Sequence, residues 1–266
     1  MILHEELDPG CFVNLNGHCK KKLMIIGGKK CVVKFLGKDE LCNEYMAFLI
    51  ARHLSLSVAE TSLFRLESEW RLSSELAGRL DSGTTIIREA GFLDFDTTKL
   101  KAAGFSYSYD EIVKLLQPNE QDQFWELCML DCIISNADRH SENWGRIGAG
   151  LSPSYDHHNA FENPISSEYS LIRLSNSDVT LEKLAASLFH INPAKFDLYV
   201  NRLLEINLDI FDEMFSILEE SCVFDKLSAV SGKSPSISDH YASNIEILKL
   251  NADMLDKIRY RSHANE

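Results

Sequence analysis

The run Asn136-Ala137-Asp138-Arg139-His140-Ser141-Glu142-Asn143-Trp144-Gly145 sets a carboxylate and an amide five residues apart in a polar loop, and Ser152-Pro153-Ser154-Tyr155-Asp156 brings a second carboxylate thirteen residues after Asn143. Phosphoryl-transfer enzymes set out a catalytic aspartate, a metal-binding amide and a metal-binding aspartate in this order. Moving a γ-phosphoryl group asks the protein for little covalent help. It needs a hydroxyl aimed in line and a divalent cation among the phosphate oxygens. Magnesium takes oxygen ligands and keeps several waters, so Asn143 and Asp156 together with phosphate oxygens make a sufficient shell. Asp138 is then the group that faces the nucleophile. Asp and Asn are also ordinary turn residues, and the spacing gains meaning only from the elements around it.

Those elements come in a definite order. Pro118 stops a helix over Tyr109 to Leu116, and Asn119 is positioned to cap the next one, with Glu120 and Asp122 in its first turn favouring the dipole. Phe124, Leu127, Cys128 and Ile134 give that second helix an apolar stripe, so it delivers its C-terminus to Asn136 and Asp138. Trp144 to Leu151 suits a short hairpin that returns the chain to Asp156. Upstream, Phe12 to Leu15, Leu23 to Ile26 and Lys30 to Leu36 read as strands, the last two joined across Gly27-Gly28. Asn16-Gly17-His18-Cys19-Lys20-Lys21, between the first two, is a loop in which Gly17 permits close backbone approach and Lys21 stands by for an anion. Lys34 sits inside an apolar strand, where a charge must reach the rim or meet an anion. In the helix near Glu40 to Leu54, Glu44 falls on the stripe of Leu41, Tyr45 and Phe48, and Lys34 is its natural partner. Thr61 to Leu66, Trp70 to Leu76 and Thr84 to Glu89 are further strand candidates. Leu181 to Leu188, Pro193 to Ile206, Leu208 to Glu219 and Ile237 to Arg261 read as amphipathic helices with a core-forming role.

The segments Asn136 to Gly145 and Ser152 to Asp156 resemble the catalytic and metal loops of the HipA-like protein kinases, whose pattern runs roughly D-R-H-x-x-N-x-G and then P-x-Y-D; the type II phosphatidylinositol 4-kinases are similar through the same loop. The upstream loop is similar to that family's phosphate loop, often S-G-x-Q-x-K, with Asn16 at the serine position and Lys21 at the lysine position. The resemblance implies an α+β, two-lobed protein-kinase-like fold, with a small antiparallel β-rich N-lobe carrying one helix over residues 1–91 and a larger, mainly helical C-lobe over residues 92–266. It implies ATP and magnesium as cofactors and a protein serine or threonine as acceptor. Asp138 and Lys34 take catalytic roles, Asn143 and Asp156 hold the metal, and Gly17, Lys21, Lys34, Glu44 and Glu89 serve the nucleotide, with Ile86 to Gly91 as the hinge beside adenine. A toxin or effector role, with an antitoxin or other regulatory partner protein, belongs to the same expectation.

Composition narrows the alternatives. A net charge of −13 spread along the chain argues against direct nucleic-acid binding, which relies on clustered Lys and Arg. The tight basic cluster, Lys20-Lys21-Lys22 with Lys29-Lys30, lies beside the expected phosphate loop. Seven cysteines without a CxxC pair fit neither a zinc site nor a disulfide framework, and Cys128 and Cys132 read as small buried hydrophobes. A reducing, cytoplasmic setting follows, with no signal peptide and no membrane span. Three other readings remain open: a lipid or small-molecule kinase, a metal-dependent phosphoesterase built on Asp156-His157-His158 with Asp138 and His140, and a non-catalytic nucleotide-binding scaffold. In each, His140, His157 and His158 are more often polar loop residues than ligands.

Overall fold

The computed structural model describes residues 13–15, 20–26, 29–35, 38–61, 63–65, 82–87, 92–94, 109–139, 143–147, 150–169, 179–221 and 237–264, and in the strands before residue 95 it is the backbone course that is described. Strands β1 (Val13–Leu15), β2 (Lys20–Ile26), β3 (Lys29–Phe35), β4 (Leu63–Arg65) and β5 (Ser82–Ile87) pair antiparallel in the order β1-β2-β3-β5-β4. Strand β2 starts at Lys20, so Lys21 belongs to the sheet and not to the loop that the sequence analysis assigned it. The β-branched and apolar run of β3 pairs the whole length of β2, and extending the ladder satisfies backbone groups that a loop would leave to water. In that register Lys21 stands directly opposite Lys34, and Thr84 of β5 flanks Lys34 on the other side. Trp70 to Leu76 and the hinge segment from Arg88 to Gly91 lie outside the described residues, as do Asn16 and Gly17.

Helix α1 (Lys38–His53) begins with Asp39 and Glu40 and ends with Arg52 and His53, matching the helix dipole at both ends. Leu41, Cys42, Met46, Ala47, Ile50 and Ala51 are fully buried along it. Strand β6 (Phe92–Asp94), which the sequence analysis did not foresee, joins β7 (Gly145–Ile147) and β8 (Gly150–Leu151) in a second antiparallel sheet. The hairpin expected after Trp144 is therefore one part of a three-stranded unit.

Helix α2 (Tyr109–Val113) is short, and α3 (Pro118–Ile133) follows it. The N-cap of α3 is Gln117, not Asn119: Pro118 needs no N–H partner in the first turn, and Glu120 Oε2 accepts from the Gln117 backbone N at 2.8 Å. The second half of α3, from Phe124 and Trp125 to Ile133, is buried at every position but Glu126 rather than along one stripe. It is the axis of the helical part. Helices α4 (Leu181–Ile191), α5 (Pro193–Leu204) and α7 (Ile237–His263) pack around it, while α6 (Asp212–Ser221, preceded by a 3-10 turn Leu208–Phe211) packs on α7 and α1. Asn192 ends α4 and starts α5, its side chain accepting from Lys195 N at 3.1 Å ahead of Pro193. Along α7, Ile247, Leu248, Ala252, Leu255 and Ile258 recur at helical spacing on one buried face. Among the described residues no helix is long and apolar enough to cross a membrane.

Candidate active site

Helix α3 ends where Ser135 turns into the left-handed region at φ 52°. Its last turn is held by α7: the Asn251 amide donates to the Ile133 carbonyl at 2.9 Å and to Ser135 Oγ at 2.6 Å. A carbonyl that the helix end would leave without a partner is thereby satisfied. The loop then folds back on the helix. Asn136 donates from its backbone to the Asp131 carbonyl at 2.8 Å and from its amide to Asp131 Oδ1 at 3.0 Å, while its own Oδ1 accepts from Asp138 N at 3.3 Å.

The centre of the arrangement is Arg139. Its side chain and that of Asp131 are both fully buried. Nε donates to Asp131 Oδ2 at 3.0 Å and Nη2 to Oδ1 at 2.9 Å, a two-pronged pair that suits the planar guanidinium. Nη1 donates to the Asn143 carbonyl at 2.6 Å and to the Tyr155 carbonyl at 2.7 Å. One nitrogen therefore holds the backbone of the loop carrying Asn143 and that of the residue before Asp156. Burial pushes the Asp131 carboxyl upward, and Arg139 and Asn136 pull against it. For Arg139, burial works to lower the guanidinium, and the facing Asp131 carboxylate overrides it and holds it up. With both groups closed off from solvent, each charge is the other's main partner.

Asp138, Asn143 and Asp156 lie on the segments that this clamp holds, next to Arg139 itself and to the two carbonyls it grips. Asn159 Nδ2 donates to Asp138 Oδ2 at 2.6 Å, and Asn143 Nδ2 to the Asp138 carbonyl at 3.1 Å. Asp156 sits at φ 67°, a left-handed conformation that Asp tolerates better than most side chains. Its Oδ1 meets His158 Nδ1 at 2.8 Å. The segment before it is fastened to the stretch after α1 by Ser154 N to Ser57 O at 3.0 Å and Ala59 N to Ser154 O at 2.8 Å. Trp144, buried after Asn143, packs against Phe124 of α3 with ring centroids 5.0 Å apart.

Glu44, 2% exposed, lies on the inward face of α1 as its spacing predicted. Its Oε2 accepts from the His157 backbone N at 2.9 Å and stands 4.0 Å from His158 Nδ1. His157 is buried as well, with Nε2 2.7 Å from Ser154 Oγ. Both histidines lie in a loop, as the sequence analysis had them, with His157 buried and His158 partly buried there. The polar chain Arg139, Ser154, His157, Glu44 runs unbroken from α3 to α1. On the far side Asn43 donates to the His158 carbonyl at 2.9 Å and accepts from Asn244 of α7 at 2.7 Å and from His240 at 3.0 Å.

Asp138, Asn143, Asp156 and Glu44 are thus brought to one region. The backbones of Lys34 and Lys21 lie abreast in the sheet, while Gly17, Glu89 and His140 lie outside the described residues. Asp131, Asn159, Asn43 and Asn251 were missed from sequence. The signal for Asp131 was a carboxylate among apolar positions of α3, eight residues before an arginine. For Asn159 it was an amide just beyond Asp156 in the same loop. Glu44, Asp156 and His158 offer ligand atoms all within 4.8 Å of one another. This donor set of two carboxylates and an imidazole fits a divalent cation.

Three comparisons with known proteins accompany this geometry. Residues 14–206 match the family model described as HipA-like C-terminal domain. Among solved structures, the Helicobacter pylori proinflammatory kinase CtkA superposes with a TM-score of 0.54 at 15% identity, covering 96% of this chain and 96% of that one. At that identity the likeness speaks for a kinase-like fold. A search of curated proteins found no match.

Proposed function

The chain belongs to the HipA-like C-terminal domain family, a kinase family, and from that premise we propose that it transfers the γ-phosphoryl group of ATP to a serine or threonine hydroxyl of a protein. The observation that carries this reading is the Arg139 guanidinium gripping the carbonyls of Asn143 and Tyr155 together, beside an Asp138 carboxylate held by Asn159. A site that must aim one oxygen at another gains most from such fixed carboxylates.

In this reading Asp138 orients the acceptor hydroxyl and takes its proton as the oxygen attacks phosphorus in line, with the bond to the bridging oxygen of ADP breaking. Asn143 and Asp156 would hold magnesium, which when bound neutralises charge among the phosphate oxygens. Lys34 contacts the α- and β-phosphates and Glu44 steadies it. Lys21, opposite Lys34 in the register, offers a second cation to the nucleotide from the strand, and Gly17 and Glu89 complete the nucleotide contacts at the loop and the hinge. Residues 1–91 form the nucleotide-binding lobe and 92–266 the helical lobe. A protein substrate, and a regulatory partner protein, belong with this reading.

Two measurements test it. Incubation of a cell lysate with ATP, magnesium and either wild type or Asp138→Asn, followed by phosphopeptide mass spectrometry, should give phosphosites with wild type alone. Equal phosphosite sets for the two proteins refute the role of Asp138. ATP with magnesium should raise the melting temperature of wild type and fail to do so for Asp156→Asn; an equal rise in both refutes the metal assignment.

A further inference from the structure

His158 is two residues beyond the expected metal aspartate, and nothing in the phosphoryl-transfer reading requires it. Its Nδ1 lies 2.8 Å from Asp156 Oδ1 and 4.0 Å from Glu44 Oε2, and these three side chains come from a helix and a loop that are tied together by the His157 N to Glu44 bond. All three are sheltered, Glu44 at 2% side-chain exposure, Asp156 at 13% and His158 at 14%. Two ligand atoms on adjacent corners of a cation with bonds of about 2.1 Å stand roughly 3.0 Å apart, and two on opposite corners roughly 4.2 Å apart. The observed pair of separations falls close to both figures. The backbone of His158 is also fixed, since Asn43, bonded to Asn244 and His240 of α7, donates to the His158 carbonyl.

We propose that His158 Nδ1 is a further ligand at this site, so that Glu44, Asp156 and His158 bind a first-row transition cation, with Mn2+ as the working probe, in preference to Mg2+ and without nucleotide. The inference rests on the Asp156 assignment above and deepens it. Magnesium takes oxygen donors and gives up water reluctantly, whereas imidazole nitrogen suits manganese, cobalt and zinc. A site of three oxygens would discriminate weakly between the two cations; replacing one oxygen by a ring nitrogen shifts the choice. A carboxylate has two oxygens, so Glu44 facing the cation remains compatible with Glu44 steadying Lys34.

The test is Mn2+ titration of nucleotide-free protein, reading free Mn2+ by electron paramagnetic resonance, with Mg2+ as competitor. Wild type should bind one Mn2+ and release it only to a large excess of Mg2+. His158→Gln should weaken Mn2+ by about 10-fold or more while leaving the affinity for Mg2+ nearly unchanged, so that a correspondingly smaller excess of Mg2+ displaces Mn2+. Electron spin-echo modulation on Mn2+-loaded wild type gives an answer that needs no variant: a directly coordinated nitrogen-14 signal is expected. Absence of that signal, no Mn2+ binding without nucleotide, or an unchanged Mn2+ to Mg2+ preference in His158→Gln each overturns the inference. None of these touches the phosphoryl-transfer reading, which fails separately if Asp138→Asn and wild type give the same phosphosites.

Discussion

Replacing Arg139 by methionine keeps a long apolar stem and removes the guanidinium. The side chain and its Asp131 partner are both fully buried, so the variant leaves a carboxylate with no water and no counter-charge. Breaking a buried pair from one side costs about 3–5 kcal/mol, and a stranded buried carbonyl adds about 1–3 kcal/mol. Here the Asn143 and Tyr155 carbonyls both lose the Nη1 donor. At least about 3 kcal/mol is therefore expected, against a total stability for such domains of roughly 5–15 kcal/mol. In a melting experiment that corresponds to a fall of roughly 6 °C or more. The double variant Asp131→Leu with Arg139→Met removes both charges, and a buried pair exchanged for apolar groups is often near neutral. It should recover a large part of the loss in stability. It should not recover phosphoryl transfer, because the two carbonyls still lack their clamp. Arg139→Lys should behave like the methionine variant in activity, since one ammonium cannot make a two-pronged pair and reach both carbonyls. If Arg139→Met melts within about 1 kcal/mol of wild type, or the double variant is no more stable than the single one, the clamp is not the source of order at this site.

Three further outcomes follow from particular contacts. Asn159→Ala removes the donor to Asp138 Oδ2; the turnover number should fall about 10- to 100-fold with little change in the KM for ATP, in steady-state phosphorylation assays. Trp144→Ala opens a void against Phe124 and should cost about 3–5 kcal/mol by denaturant unfolding. Burial pushes the Cys42 thiol up to about 12, and lifts Cys128 and Cys132 in the same direction. Folded and unfolded chains both keep these thiols protonated below pH 9; above it only the unfolded chain releases the protons, so stability should decline as pH rises from about 9 towards 12. The same three thiols should resist alkylation at pH 8 until denaturant is added, and rapid labelling of any of them in the native protein refutes their burial.

What the amino-acid order determined by itself was local. The spacing of Asp138, Asn143 and Asp156 pointed to phosphoryl transfer, the apolar density ahead of Asn136 announced α3, and the position of Glu44 among Leu41, Tyr45 and Phe48 put its carboxylate inside. Each depends on neighbours within one or two turns, where a period of 3.6 or 2 says which side of an element is buried. Periodicity does not say what lies opposite. That Arg139 would turn inward onto Asp131, that Asn159 would hold Asp138, and that Glu44 would accept from His157 across 113 positions of chain was decided only when the elements packed. The same holds for Lys21, whose place in β2 depends on the full ladder with β3, and for Asn43, partnered by Asn244 201 positions away. Polar groups taken out of water must find partners wherever packing leaves them, and that choice is a property of the folded chain rather than of any segment in it.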